Sequence, residues 1–298
     1  MESKVQLGVA CSLLSPVAWS FAVILFRKSG EHVSPVALNL FKNVIASICF
    51  GSLLLILGER APDGIEWFHY GLLIVSGLIG VGLADLFFLM CLNRIGAGRQ
   101  AIVNTAYSPP IILLSAIFLG ERMNAWQFLG VAMIMTAVML VGMGQGSATT
   151  SKETVRSGVL YGIGACLAQA VSIVMVKPFL EDWPLIWTTH WRMVGGLIAT
   201  GLMAYFAKPG NCNLSSLLTA KALKVVLPAT LLGSCLSLLL WMAGFKFADA
   251  SVSAALGQTS TLYTFVLAVV FLGEPVTGRR MLGLITGMAG VALVTLLG

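Results

Sequence analysis

The tetrapeptide Phe-Leu-Gly-Glu occurs at Phe118–Glu121 and again at Phe271–Glu274, 153 positions later. A coincidental repeat of four residues would not extend beyond the motif, but this one does. The same shift superposes Gly80 on Gly233, Ala97 on Ala250, Ala101 on Ala254, and the Leu-Gly and Leu-Val pairs at 129–130 and 140–141 on those at 282–283 and 293–294. The sequence therefore predicts a protein built from two related halves.

The composition places these halves in a membrane. The chain is 58% hydrophobic and 10% charged, against about 45–50% and about 25% for soluble domains. Ten apolar stretches each approach the roughly 20 residues that a helix needs to cross a bilayer. We therefore predict an all-α integral membrane protein with ten transmembrane helices. The stretches are Val5–Phe26, Pro35–Leu57, Phe68–Leu92, Gly98–Leu119, Met123–Gly142, Gly158–Val176, Leu185–Phe206, Ala222–Phe245, Ala250–Leu272 and Met281–Leu297.

The predicted spans divide evenly between the halves. A first repeat covers residues 1–143 with helices 1–5, a polar linker covers 144–157, and a second repeat covers 158–298 with helices 6–10. Because five is odd, the second repeat must enter the bilayer inverted relative to the first. Two inverted halves can open a central site to either side in turn, the usual construction of secondary transporters. The alternative is that duplication produced only a stable ten-helix bundle.

Other classes of protein fit the sequence poorly. Five of the six cysteines lie within predicted spans, and no phosphate-binding loop or nucleophile–base arrangement occurs. We therefore expect no disulfide framework, no metal site and no cofactor. The net charge of +6 comes mostly from basic residues at span ends, so we expect no nucleic acid partner. The first span lacks a clear cleavage site and is expected to remain in the mature protein.

Charged residues within the spans are the first candidates for a functional site. A charge at mid-bilayer costs about 2.5–3.5 kcal/mol on insertion scales, and such residues usually face a cavity or pair with each other. Lys42 lies in the sequence Asn39–Asn43 of the second span, and Arg192 lies 150 positions later in the seventh. This matched placement predicts that Lys42 and Arg192 face a central cavity with the neighbouring Asn39 and Asn43. Snorkelling of both long side chains to the membrane surface is the alternative.

Asp85 and His190 are the other two ionisable candidates within the spans. Asp85 lies near the middle of the third span, and its repeat counterpart is Leu238. A carboxylate there would bind a cationic group, take up a proton, or form a structural ion pair with Lys42 or Arg192. His190 is a candidate proton carrier because the pKa of a free imidazole is about 6.5. A packing role beside Trp191 is equally consistent with the sequence.

Polar residues at a predicted helix break form a second set of candidates. Pro109 and Pro110 lack N–H groups, so the fourth span should kink or open there. Broken helices at mid-membrane expose backbone groups that can bind a polar substrate. Hydrogen bonding between helices is the alternative. The set comprises Asn104, Tyr107 and Ser108, the repeat-matched Gln258, Thr259 and Tyr263 of the ninth span, and the tryptophans Trp19 and Trp241.

The paired FLGE segments, each followed by a glycine-rich last helix, resemble the drug/metabolite transporter superfamily in the branch with two EamA domains. The resemblance covers essentially the whole chain. It implies a ten-helix basket with a central cavity, and in many bacterial members the export of amino acids or other small metabolites across the inner (plasma) membrane. Relatives include nucleotide-sugar and triose-phosphate carriers and multidrug exporters. The motif glutamates Glu121 and Glu274 are expected to cap or pair at helix junctions rather than to contact substrate.

The resemblance and the loop charges disagree on orientation. When Lys42 and Arg192 are left out, eleven Lys and Arg residues fall in or next to the odd-numbered loops and five on the opposite side, which places both termini outside the cell. Members of the superfamily commonly have both termini in the cytoplasm. The sequence leaves the orientation open.

The sequence favours a secondary transporter over an enzyme or a channel. We predict alternating-access transport of a small polar metabolite, coupled to protons or by exchange. Two bases and one acid in one cavity would suit an amino acid or a related zwitterion, with an anionic metabolite also open. The alternatives are a carrier of phosphorylated metabolites or nucleotide sugars, a multidrug exporter, and, more remotely, a membrane-embedded enzyme or a channel. The expected partners are the substrate, the lipid bilayer and protons, and the expected state is a monomer or weak dimer.

Overall fold

The computed structural model describes residues 2–107, 109–111, 113–114, 125–142, 151–180, 182–207, 212–247 and 256–296. These residues are helical or form connections, and none of them lies in a β-strand. The α-helices are α1 (Glu2–Ser29), α2 (Pro35–Leu57), α3 (Trp67–Gly77), α4 (Asp85–Ile95), α5 (Ala97–Asn104), α6 (Ala125–Gly142), α7 (Lys152–Leu180), α8 (Leu185–Tyr205), α9 (Ala220–Thr230), α10 (Leu238–Phe247), α11 (Thr259–Leu272) and α12 (Gly278–Leu296).

Local sequence explains where several helices begin. Ser34 precedes α2 in an extended conformation, and its hydroxyl accepts a hydrogen bond from the N–H of Ala37 at 3.4 Å. Pro35 occupies the first turn of α2, where a missing N–H has no consequence. Thr219 caps α9 in the same way by accepting from the N–H of Ala222. The ends of these apolar helices are therefore fixed by single polar residues.

Five continuous helical segments are long and apolar enough to cross a membrane. They match the first, second, third, sixth and eighth predicted spans and cover Gln6–Ser29, Pro35–Leu57, Trp67–Ile95, Lys152–Leu180 and Lys221–Phe247. The protein is therefore a multi-pass helical membrane protein. The total of ten spans stays a prediction. The first FLGE copy, with Glu121, lies outside the described residues.

A wider helical turn recurs at the same place in both halves. The third span consists of α3, a π-helix at Leu78–Ala84 and α4, and the eighth consists of α9, a π-helix at Leu231–Ser237 and α10. The second π-helix is displaced from the first by the 153 positions that separate the FLGE copies. A π-helical turn inserts an extra residue and is common at functional sites. The repeat thus extends from sequence to an uncommon backbone conformation.

The third span packs closely against helices of the second half. It lies along α7 and against α8. Gly77 makes the approach to α8 possible, because a Cβ at this position would collide with the backbone carbonyl of Arg192. By the repeat, α1 corresponds to α7 and the eighth span to the third, and α1 likewise packs along the eighth span. The backbone of Arg192 is therefore held directly against α3.

Aromatic rings cover the ends of α3, α7 and α8. The ring of Tyr70 lies 5.4 Å from that of Trp187 and 4.9 Å from that of Trp191, both in edge-to-face geometry. Phe179 stacks on Trp183 at 4.6 Å. Such pairs stabilise packing beyond their area alone, so this cluster fixes the start of α8 relative to the third span.

Candidate functional site

Lys42 and Asp85 form an ion pair in the interior. The Lys42 Nζ donates to Oδ2 of Asp85, and it also donates to Oδ1 of Asn43 at 3.2 Å. The Lys42 side chain is 6% exposed and that of Asp85 26%. Lys42 therefore does not snorkel to the surface. The two charges largely neutralise each other, and Asp85 remains accessible on one side.

The asparagines beside Lys42 hold the first π-helix. Asn39 Nδ2 donates to the carbonyl of Gly82 at 2.8 Å, and Asn43 Nδ2 lies 3.5 Å from the carbonyls of Val81 and Gly196. A widened turn leaves carbonyls without their usual α-helical partners, and buried carbonyls need a donor. Asp85 is the first residue after this turn. Asn39 and Asn43 thus position the Asp85 carboxylate opposite Lys42.

Arg192 is buried among neutral groups. Its side chain lies in α8, and the residue is 2% exposed. Nε donates to Ser76 Oγ at 3.2 Å, and one terminal nitrogen donates to Ser172 Oγ at 3.0 Å. The other lies 3.5 Å from Met242 Sδ. No carboxylate of a described residue lies within 4.0 Å of the guanidinium. The described groups that the guanidinium donates to are therefore neutral, and a planar guanidinium of this kind can bind a carboxylate.

Tyr107 lies close enough to Arg192 for the two side chains to interact electrostatically. Arg192 interacts electrostatically with Tyr107 and, more weakly, with Asp85. The Tyr107 hydroxyl is buried and finds no hydrogen-bond partner among the described residues. A buried hydroxyl without a partner is unusual in a native protein. Tyr107 therefore offers a polar group beside Arg192 that a ligand could engage.

Both halves depart from regular α-helix at matching positions, although the sequence predicts a break only in the first half. In the first half α5 ends at Asn104, and a 3₁₀ turn follows at Thr105–Tyr107. In the second half a turn at the buried Gln258 precedes α11. Thr259 donates to the carbonyl of Leu256 at 2.6 Å and so turns back onto its own helix. Asn104 is half-buried at the end of α5, and Ser108 lies outside the described residues.

His190 packs against α2, and Tyr263 is exposed on α11. A Cβ on Gly51 of α2 would lie 3.2 Å from Cε1 of His190, and the His190 Nδ1 has no partner in the described part of the chain. Tyr263 is 42% exposed on the same helical stripe as Val266 and Val270. The structure therefore does not bring these two residues together with Lys42, Asp85 and Arg192.

The two candidate tryptophans lie in aromatic contacts. The Trp19 ring is 5.3 Å from that of Phe88, and Trp19 packs against the largest apolar core cluster. The Trp241 ring is 4.9 Å from that of Phe245. Both tryptophans are half-buried. No described contact joins either ring to the charged residues.

Glu274 of the second FLGE copy acts at a helix junction, as the sequence predicts. Its carboxylate accepts from the N–H of Ala97 at 2.7 Å and of Gly98 at 3.2 Å, at the start of α5. Arg280 pairs with the same carboxylate at 3.1 Å. A negative group at a helix N-terminus is favourable because the free N–H groups and the helix dipole are positive there. The motif thus joins the second half to the first.

Sequence reasoning missed Ser76 and Met242. Both contact Arg192, yet each is an uncharged residue in an apolar run and carries no motif. Ser172 is a polar residue of the sixth predicted span, and the sequence indicates it only as a further candidate for the cavity lining. Glu59 was also missed: its carboxylate accepts from the N–H groups of Ile186 and Trp187 at the start of α8.

Two of three relatives that match this chain over most of its length are described as transporters or exporters. A relative from Archaeoglobus fulgidus, described as an uncharacterized transporter, is 21% identical over 98% of this chain and 99% of its own. A probable terminal-alkyne amino-acid exporter from Streptantibioticus cattleyicolor is 25% identical over 98% of this chain and 94% of its own. Protein PecM of Dickeya dadantii is 22% identical over 94% of this chain and 89% of its own.

One crystal structure covers 100% of this chain and 98% of its own with a TM-score of 0.68 at 19% identity, which shows a common fold. The model of the EamA-like transporter family matches residues 6–143 and again 156–296. With two matches over nearly its whole length, the chain belongs to the EamA-like transporter family and is a membrane transporter of the drug/metabolite transporter superfamily.

Proposed function

We propose that the protein is a secondary active transporter that exports an amino acid or a related zwitterionic or anionic metabolite by alternating access. The observation that carries this proposal is the buried Arg192 guanidinium, whose hydrogen bonds among the described residues all go to neutral groups. A planar guanidinium presents N–H groups in a fork that matches a carboxylate. Binding of the substrate carboxylate would supply the missing negative charge.

The ion pair supports a role for Asp85 in binding a second group of the substrate. Lys42 engages Oδ2 of Asp85, and the Asp85 side chain retains 26% exposure. Asp85 can therefore receive the substrate ammonium or a coupling proton while it remains beside Lys42. A phosphorylated metabolite fits less well, because Asp85 already neutralises one of the two bases. The Streptantibioticus cattleyicolor relative is described as a probable amino-acid exporter, which supports the same substrate class.

Counterflow in liposomes tests the proposal. The purified protein is reconstituted with one unlabelled compound inside, and uptake of its labelled form is measured. The panel contains amino acids including L-propargylglycine, a terminal-alkyne amino acid, together with sugar nucleotides, phosphorylated sugars and organic cations. We expect counterflow of at least one amino acid and its loss in Arg192→Met. Counterflow of a sugar nucleotide or an organic cation alone would contradict the proposal and identify one of the alternative classes.

A further inference from the structure

Ser76 and Ser172 join the two halves through a reciprocal pair of hydrogen bonds. The Ser76 hydroxyl donates to the carbonyl of Ser172 at 2.8 Å, and the Ser172 hydroxyl donates to the carbonyl of Ser76 at 2.7 Å. The two hydroxyl oxygens lie 3.0 Å apart. Both residues are fully buried. We call this pair the serine bracket.

The serine bracket presents lone pairs to Arg192. A hydroxyl has one proton, and in each serine a backbone carbonyl takes it. The oxygen atoms are therefore left as acceptors, 3.2 Å from Arg192 Nε and 3.0 Å from a terminal nitrogen. Two acceptors on one edge fix the plane of the guanidinium. Because a hydroxyl carries no net charge, the bracket orients the cation without neutralising it.

A second serine pair makes the same kind of hydrogen bonds between helices and provides a control for helix packing. Ser15 and Ser237 exchange hydroxyl-to-carbonyl bonds of 2.9 and 3.2 Å between α1 and the eighth span. This helix pair is the repeat counterpart of α7 and the third span, and both serines are 4% exposed. In the described part of the chain, no Lys or Arg donates to Ser15 or Ser237. The same hydrogen-bond pattern thus occurs with an arginine in one place and without one in the other.

Because Gly80 has no side chain, the Ser172 hydroxyl can lie close to the third span. A Cβ at Gly80 would collide with the Ser172 hydroxyl and would lie 3.3 Å from Gln169 Oε1. Its repeat counterpart, Gly233, faces only apolar side chains, with Ala22 Cβ at 2.8 Å. A methyl group at either position crowds a helix contact, but only at Gly80 does it displace a ligand of Arg192.

We propose that Ser76 and Ser172 are positioning residues for the substrate carboxylate. They hold the guanidinium so that its remaining N–H groups meet a carboxylate in one orientation. The proposal rests on the proposed function, in which Arg192 binds that carboxylate. It assigns affinity for the anion to two uncharged residues that belong to opposite halves of the protein.

Acetate and glycine serve as probes of the carboxylate site. The unfolding temperature of the full-length protein in detergent is measured against concentration of sodium acetate or glycine, with sodium chloride at matched ionic strength as the control. In the wild type both probes raise the unfolding temperature, because a ligand of the native state stabilises it. In Ser76→Ala the apparent affinity for acetate falls about tenfold. In Ser76→Thr, which keeps the hydroxyl, it stays within about twofold of wild type.

The matched controls separate positioning from stability. Ser15→Ala removes the same kind of hydrogen bond and lowers the unfolding temperature without changing acetate affinity. If Ser76→Ala does not fold, Gly80→Ala and Gly233→Ala provide a second comparison, in which only Gly80→Ala weakens acetate binding. Equal acetate affinity in the Ser76 or Gly80 variant and its control would overturn the positioning role alone. A wild type that responds to neither probe would overturn the carboxylate site, and the positioning role with it.

Discussion

The Lys42 ammonium contacts the Asp85 carboxylate across 43 positions of sequence, at the residue where the first π-helix ends. The same lysine has a basic counterpart in the second half, Arg192, but Asp85 has none, because its counterpart is Leu238. Among the described residues, Lys42 lies within 4.0 Å of a carboxylate and Arg192 does not. The two related halves therefore place matched bases in different electrostatic surroundings.

Replacing Asp85 alone should destabilise the protein. Asp85→Asn leaves the Lys42 ammonium buried beside a neutral amide, and breaking a buried pair in this way costs about 3–5 kcal/mol. Because Asp85 is partly exposed, we expect a loss near the lower end, about 3 kcal/mol. The unfolding temperature of the purified protein in detergent measures this change.

The double variant Asp85→Asn with Lys42→Gln distinguishes a structural pair from a functional one. Removing both charges should restore most of the lost stability, because no unpaired charge remains. Counterflow should stay low, because the substrate ammonium or the proton loses its acceptor. Full recovery of both stability and counterflow would mean that Asp85 serves only to neutralise Lys42.

Arg192 should tolerate replacement in folding but not in transport. Arg192→Met removes a buried charge that lacks a carboxylate partner among the described residues, so the folded yield should remain near wild type while counterflow is lost. Arg192→Lys keeps the positive charge but loses the planar pair of N–H donors that matches a carboxylate. We therefore expect about 10- to 100-fold weaker substrate affinity. Arg94→Met is the control, since Arg94 lies over the Tyr161 ring at 4.3 Å, away from the Arg192 contacts. Normal counterflow in Arg192→Met would show that the substrate binds elsewhere.

The sequence predicts the repeat, the helical class and the main charged residues because each leaves a pattern along the chain. A shift of 153, apolar runs and charges within them can all be read without distances. The structure shows Asp85 with Lys42 rather than with Arg192, a choice that depends on how three helices pack. Ser76 could not be recognised, because its role comes from its contact with Ser172, 96 positions away.

The π-helices also lie beyond sequence reasoning. The segments Leu78–Ala84 and Leu231–Ser237 are apolar and glycine-containing, like many stretches of the α-helices in this chain. In the first of them, the side chains of Asn39 and Asn43 donate to the carbonyls of Gly82 and Val81, and these contacts depend on how the helices pack. The sequence predicts that Asn39 and Asn43 line a polar cavity together with Lys42. In the structure both side chains donate to backbone carbonyls of the first π-helix.

His190 should be dispensable for proton coupling. Its imidazole packs against Gly51 and 6.0 Å from the Trp191 ring, and no described contact links it to Asp85 or Arg192. We expect His190→Gln to leave counterflow and its dependence on pH unchanged. Asp85→Glu, which alters the geometry of the acid but not its charge, serves as the comparison and should shift the pH profile. A flattened pH profile of counterflow in His190→Gln would show that the histidine takes part in proton coupling.

Glu274 should matter for stability and not for substrate affinity. Glu274→Ala removes the acceptor of two N–H groups at the start of α5 and the ion-pair partner of Arg280. Loss of a helix cap costs about 1 kcal/mol, and loss of a partly buried ion pair up to about 1 kcal/mol more. We expect a destabilisation of about 2 kcal/mol in detergent. Glu31→Ala, at an exposed glutamate in the loop after α1, is the control and should leave stability unchanged. Counterflow per folded molecule should keep the wild-type substrate affinity, and a weakened affinity in Glu274→Ala would instead place the second FLGE glutamate in the transport cycle.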